Sequence, residues 1–262
     1  MVKPVKVNQF NSVIGARKPH IFVVNETKTK SKLGGSLPFS DYDIYEEPGE
    51  CAEGHHIFKW GVVMGVRKDI QVAQRLELTQ RALKGRVIAL DIILTTPDSR
   101  CFRHRFIGAY TPWNPGGSGD ISLFWRDITS LCLSTTSLWT MAGDLNVTVA
   151  SFERLSGGAD ARAQYLKFLS DTNGHDLWSD VEERSRFSDW TCKSSHAASE
   201  GNIIDRVVTS HGSMIDSEIS VADRHSDWVP YTDHRAIIAR VVHAMPNPVQ
   251  PNGRVAAEPS MG

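Results

Sequence analysis

The feature that most constrains the fold of this chain is a recurrence of short apolar runs, each stopped by polar or turn residues. They are "HIFVVNE" (20–26), "KWGVVMGVRK" (59–68), "RVIALDIILTT" (86–96), "RFIGAYTP" (105–112), "SLWTMAGD" (137–144), "NIIDRVVTS" (202–210) and "HRAIIARVV" (234–242). Runs of that length bounded by turn signals read as strands. Helical patterns lie between them. In 120–134, Ile121, Phe124, Trp125, Ile128 and Leu131 share one broad apolar face. The stretch 159–174 reads as a helix with a glycine-type stop at Gly174. Near the start, Val7, Phe10, Val13 and Ile14 share a helical face that should end at Gly15–Lys18, before Pro19. Strands with interspersed helices predict a layered α/β fold.

At 262 residues and 40% hydrophobic content, the chain can bury one large core. No linker interrupts 1–243, so a single domain is expected there. Residues 244–262, rich in Pro, Gly and Asn, read as a disordered tail. The net charge of −1 lacks the basic excess of a dedicated duplex binder, which leaves room for a local basic patch, for example "SRCFRHR" (99–105). Cys51, Cys101, Cys132 and Cys192 form no CxxC pair. They read as reduced thiols of an intracellular protein, with the nucleus as one compartment to consider. No apolar run reaches the length of a membrane span, and "MVKPVKVNQF" lacks the apolar segment of a secretory signal. Oligomeric state stays open.

Several runs end in, or contain, a polar residue out of keeping with its neighbours. Glu26 closes the first run, and Asp144 and Asn146 follow "LWTMAG". Asp205 interrupts "NIIDRVV", and Asp233 and His234 precede "RAIIARVV". Singly, each reads as a turn former or a solvated strand end. Together they are hard-cation ligands plus one imidazole, and strand ends on one edge of a sheet converge on one site. Mg²⁺ takes a few carboxylates, waters and the substrate's own phosphate oxygens, which suits phosphate ester hydrolysis.

In chain order, "NETK", "GAYTPWNP", "MAGDLN", "NIIDRV" and "YTDHRAI" resemble the motifs of the endonuclease/exonuclease/phosphatase superfamily. That family includes apurinic/apyrimidinic endonucleases, pancreatic-type deoxyribonuclease and the endonuclease domains of LINE-type retroelements. The resemblance covers roughly residues 5–243 and implies a four-layer α/β sandwich, two packed mixed β-sheets flanked by helices. It implies that Glu26 and Asp233 bind the metal and that Tyr110 contacts the scissile phosphate. Asp144 then orients or activates the attacking water, Asn146 holds a phosphate oxygen, and Asp205 orients the catalytic His234. Asn114 and Trp190 are the substrate-contact candidates. Trp190, like Trp113, reads either as a base-stacking or as a packing residue. The implied cofactor is Mg²⁺, with Mn²⁺ as the alternative, and the implied partner is nucleic acid, DNA first, with no membrane. The implied activity is that of a DNA endonuclease of retroelement or apurinic type. An inositol polyphosphate 5-phosphatase and an inactive remnant of the fold are the rivals.

One departure stands against this pattern. The family begins with an Asn-bearing strand upstream of its first helix. Here that helix starts almost at Met1, and Asn8 and Asn11 fall inside it. The chain is therefore expected to lack that strand, with a weakened site and an open sheet edge. Three further features read as incidental. His55–His56 and the Cys101/His104 spacing complete no zinc set. The glycine-rich 116–119 lacks the Lys-Ser/Thr ending of a phosphate loop and reads as a flexible turn.

Overall fold

The computed structural model describes residues 14–28, 39–51, 58–95, 99–112, 118–134, 138–149, 158–181, 191–192, 202–211, 214–221, 234 and 236–243. The predicted tail, most of the predicted first helix, His55–His56, Trp113, Asn114, Trp190 and Asp233 lie outside them.

Two sheets pack face to face. The larger has six strands in the order β10-β11-β9-β8-β7-β6. These are β6 (Gln71–Arg75), β7 (Val87–Thr95), β8 (Cys101–Tyr110), β9 (Leu138–Asp144), β10 (Gly174–Asp176) and β11 (Asp205–Ser210). It is mixed, because β8 and β9 run parallel while the other pairs are antiparallel. The crossover between β8 and β9 is α1 (Ser118–Leu133). The smaller sheet is antiparallel, in the order β1-β5-β2, from β1 (Ile21–Asn25), β2 (Tyr42–Glu47) and β5 (Val62–Arg67). Among the described residues β1 pairs with β5 alone. Two hairpins complete the strands: β3 (Glu50–Cys51) with β4 (Phe58–Lys59), and β12 (Met214–Val221) with β13 (Ile237–His243).

The layers follow from period-two alternation. Val62, Met64 and Val66 of β5 face Ile88, Leu90 and Ile92 of β7 in the core between the sheets. The intervening Val63 turns outward and packs with Ile14, Phe22 and Tyr42, so the helical turn at 14–17 covers the smaller sheet. On the larger sheet the alternate set, Val87, Ala89, Ile107, Ala109 and Met141, turns outward. It meets Phe124, Trp125 and Ile128 of α1 and Tyr165 and Phe168 of α2 (Gly158–Thr172). Helix, sheet, sheet, helices are the four layers of the sandwich. Close approach of the sheets requires Gly108, where a Cβ would stand 2.9 Å from Met64 and 3.1 Å from Val23.

The structure corrects several local expectations. Six strands escaped the sequence reading: β2, the two-residue β3 and β4, β6, β10 and β12. In β6 only Val72 rises above a polar, exposed pattern, and β12 mixes acidic, serine and apolar residues on a half-exposed hairpin. The strand expected from His234 starts at Ile237, and His234 makes an isolated bridge to Cys192 instead. Helix α1 starts at Ser118, inside the expected glycine turn. Helix α2 ends on Asn173, whose φ of 48° supplies the left-handed stop assigned to Gly174; Gly174 opens β10. The basic patch is dismantled. Arg105 is buried, donates to both oxygens of Asp91 (2.8 and 3.1 Å), and sits with Arg103 at the far end of β8 from Tyr110. Cys101, Cys132 and Cys192 are free thiols. Among the described residues no helix is long and apolar enough to cross a membrane.

Candidate active site

Sheet register brings the predicted residues together. Tyr110, the last residue of β8, is the Cα partner of Asp144, the last residue of β9. Asp144 in turn pairs with Asp205, the first residue of β11. Side chains of register partners share a face, so all three lie on the inter-sheet face at one edge of the sandwich. Glu26 follows the last residue of β1 and reaches the same edge from the smaller sheet. The Tyr110 hydroxyl donates to Glu26 Oε1 at 2.6 Å, tying the two sheets together.

The local backbone explains the Gly-Asp-Leu-Asn sequence. Gly143 has a φ of 149°, and a Cβ there would stand 1.9 Å from the Ala109 carbonyl oxygen. Only glycine lets β9 run this close to β8 and turn. Asp144 Oδ1 then accepts the backbone N–H of Asn146 (3.0 Å), an Asx turn that fixes the carboxylate. Leu145 points away into the helix-side core, and its N–H donates to the Ile204 carbonyl (2.9 Å). The Asn146 amide donates to the Thr111 carbonyl (2.9 Å). One amide N–H is thus used to hold Asn146 in place.

His234 is held by Asp205, whose Oδ2 lies 3.0 Å from Nδ1, and its Nε2 stands 3.9 Å from Asp144 Oδ2. Asp205 is steadied in turn: its N–H donates to Thr191 Oγ1 (3.1 Å) and its carbonyl accepts Trp178 Nε1 (3.0 Å). Ligand atoms of Asp144, Asp205 and His234 all lie within 4.8 Å of one another.

The electrostatics are those of a concentrated negative site. Burial first, then the charge of Asp205, raises the Asp144 carboxyl well above the ordinary range. Burial alone would lower the His234 imidazolium; the hydrogen bonds to Asp205 and Cys192 and the charges of Asp205 and Asp144 outweigh it and push it up to about 12. Burial likewise works to raise Glu26, yet hydrogen bonds from Lys28 and Tyr110 bring it below its usual value. Burial and the Glu26 contact push the Tyr110 phenol up, so it stays a neutral donor. A buried cluster whose carboxylates repel one another and hold their imidazole charged is short of positive charge. That donor set, carboxylate oxygens plus one imidazole, fits a divalent cation such as Mg²⁺ or Mn²⁺.

Backbone strain also gathers here. Glu26, Lys28, Trp60 and Asn146 have φ of 54°, 50°, 67° and 48°, in the left-handed region. Lys28 N donates to Trp60 O (2.8 Å) and Thr27 N to Gly61 O (3.2 Å), locking the loop after β1 to the turn before β5. The sequence reading missed Lys28, whose Nζ lies 2.8 Å from Glu26 Oε2, although it stood inside the "NETK" motif. It also missed Thr191 and Cys192, for which "DWTC" carries no signal.

No family model and no curated protein matches the sequence. Solved structures do match. The AP endonuclease LMAP from Leishmania major superposes with a TM-score of 0.63 at 16% identity, over 92% of this chain and 83% of that one. The APE2 catalytic domain of Xenopus laevis gives 0.67 at 13%, over 93% and 91%. An endonuclease/exonuclease/phosphatase protein from Beutenbergia cavernae gives 0.60 at 16%, over 92% and 67%. Superpositions of this extent show that the chain has the fold of the endonuclease/exonuclease/phosphatase superfamily.

Proposed function

We propose that this chain hydrolyses phosphodiester bonds in DNA with Mg²⁺, Mn²⁺ being the alternative ion, as an endonuclease of the retroelement or apurinic type. The observation that carries the reading is the convergence of Asp144, Asp205 and His234 within 4.8 Å, beside the Tyr110–Glu26 pair. A nuclear compartment belongs to the same proposal. Two structural neighbours, an AP endonuclease and an APE2 catalytic domain, support DNA over a small phosphate ester.

Glu26 and Asp233 would hold the cation, which when bound supplies positive charge to the phosphate oxygens. The protein's own groups do the rest. Asp205 orients the His234 ring by binding Nδ1, which leaves Nε2 directed toward Asp144. The Asp144–His234 pair then positions the attacking water and manages its proton. Asn146, through its second amide N–H, offers a neutral donor to a phosphate oxygen, and Tyr110 does so when its single hydroxyl proton turns from Glu26 to the phosphate. Asn114 and Trp190 are proposed to touch the nucleic acid.

The test gives the purified protein a plasmid, an abasic duplex and a soluble inositol phosphate, each with Mg²⁺ or EDTA. DNA cleavage that EDTA stops, and that Asp144→Ala and His234→Ala each reduce about a thousandfold, is the expected result. Turnover of the inositol phosphate alone would move the assignment to a phosphatase. A folded protein that turns over nothing would be an inactive remnant.

A further inference from the structure

Arg86 is a buried cation on which the carboxylates of Asp120 and Glu50 act only from beyond contact distance. It precedes β7, is 8% exposed, and among the described residues no carboxylate lies within ion-pair distance of it. Its Nη1 is buried with no hydrogen-bond partner. What compensates it is aromatic: the guanidinium carbon stands 3.6 Å from the Trp60 ring centroid and 5.6 Å from that of Tyr110. Burial lowers its pKa to about 10, so it remains charged at neutral pH.

A guanidinium placed so is costly, and an apolar side chain would fill the space more cheaply. Its surroundings suggest what the cation does. The Arg86 carbonyl accepts the Tyr110 N–H (2.8 Å), and Gly85 O accepts Gly61 N (2.9 Å). Trp60 is the left-handed residue whose carbonyl holds Lys28. Arg86 therefore stands between two aromatic rings, each bonded to the Glu26–Lys28 loop: Tyr110 through its hydroxyl, Trp60 through its carbonyl.

We infer that Arg86 is a positioning residue for phosphodiester hydrolysis, its guanidinium fixing the Tyr110 ring against Trp60 so that the phenol is aimed across Glu26 at the reacting phosphate. It does not reach the phosphate itself, since its unpartnered nitrogen is buried. This role rests on the hydrolase reading above and adds to it a residue that no motif of the site contains. Planarity matters as well as charge, because a guanidinium stacks on a ring and an ammonium does not.

The experiment compares wild type, Arg86→Met, Arg86→Lys, Tyr110→Phe and the Arg86→Met/Tyr110→Phe double variant. All are full-length, and their folding is checked by thermal melts. On DNA with Mg²⁺, Arg86→Met is expected to lower kcat about tenfold with KM within about twofold of wild type. Arg86→Lys should recover part of that loss. The double variant should be no slower than Tyr110→Phe alone, because Arg86 acts through Tyr110. A second readout needs no turnover: with tyrosine labelled at Cζ, the resonance missing from Tyr110→Phe should shift in Arg86→Met while the other tyrosine signals hold. An unshifted Tyr110 signal, an unchanged kcat or additive losses in the double variant would each overturn the role of Arg86 and leave the hydrolase reading standing. An inactive wild type would instead sink that reading, and this role with it.

Discussion

Two residues show how little freedom the chemistry leaves. Gly143 can be nothing else: any Cβ meets the Ala109 carbonyl, and its φ of 149° disfavours L side chains. Gly143→Ala is expected to cost roughly 2–4 kcal/mol, read as a lower urea midpoint, with a loss of activity because Asp144 follows directly. His104 is the second. It is 3% exposed, and Thr209 Oγ1 donates to the Trp139 carbonyl (3.0 Å). Thr140 Oγ1 therefore donates to Thr209, and His104 Nε2–H donates to Thr140 (3.0 Å each). That direction leaves Nδ1 as a bare acceptor, buried without a partner. Burial, helped by the neighbouring His243, lowers its pKa to about 3. The folded value lies below the unfolded one near 6.5, so between them the unfolded chain binds the proton and the folded chain does not. Stability is full above pH 6.5 and falls as pH drops toward 3, by about 1.4 kcal/mol per pH unit for one proton. Thermal melts between pH 6.5 and 5 should show a shallower decline in His104→Gln than in wild type. An equal slope would remove His104 as the cause.

Among the elements, the strands with two buried faces were legible, and of the half-exposed ones β13 was read while β6 and β12 were not. The β7 run "VIALDIILT" is apolar on both sides because helices cover one face and β5 the other. The edge strand β6, "QVAQR", contacts the core through little but Val72, so no pattern betrays it. The site was legible for the same reason. Glu26, Asp144 and Asp205 stand at the ends of apolar runs, where a polar residue is visible, and Tyr110 closes "RFIGAY". Arg86 and Thr191 were invisible because their roles depend on what another strand or loop sets beside them. Asp91, inside β7, is a comparable misfit with a structural explanation. It is the register partner of Arg105, and Arg105 Nη1 also donates to the Leu131 carbonyl (2.8 Å), pinning the last turn of α1 to the sheet. Asp91→Ala would strand a buried guanidinium, at about 3–5 kcal/mol by denaturant melt. Asp91→Asn, which keeps an acceptor for Arg105, should cost less.

At the scale of the molecule, the sandwich trades stability for a concentrated negative edge. Asp144 is buried beside Asp205, and the single imidazolium of His234 serves both carboxylates. Asp144→Asn is therefore expected to raise the melting temperature of the metal-free protein while abolishing turnover. Wild type should gain stability with Mg²⁺, by about 2.7 kcal/mol at a hundredfold excess over Kd, and Glu26→Gln, which removes a proposed ligand of the cation, should gain less. Melts in EDTA and in Mg²⁺ check both, and an equal Mg²⁺ shift in wild type and Glu26→Gln would place the cation elsewhere. The shared rung of Tyr110, Asp144 and Asp205 carries one last consequence. Because side chains alternate faces along a strand, losing or gaining a single codon within β8, β9 or β11 would turn one member of the rung to the helix side. Chains of this fold can differ widely in sequence, as the 13–16% identities to the solved structures show. Length changes, however, should be confined to the connections and absent from these three strands.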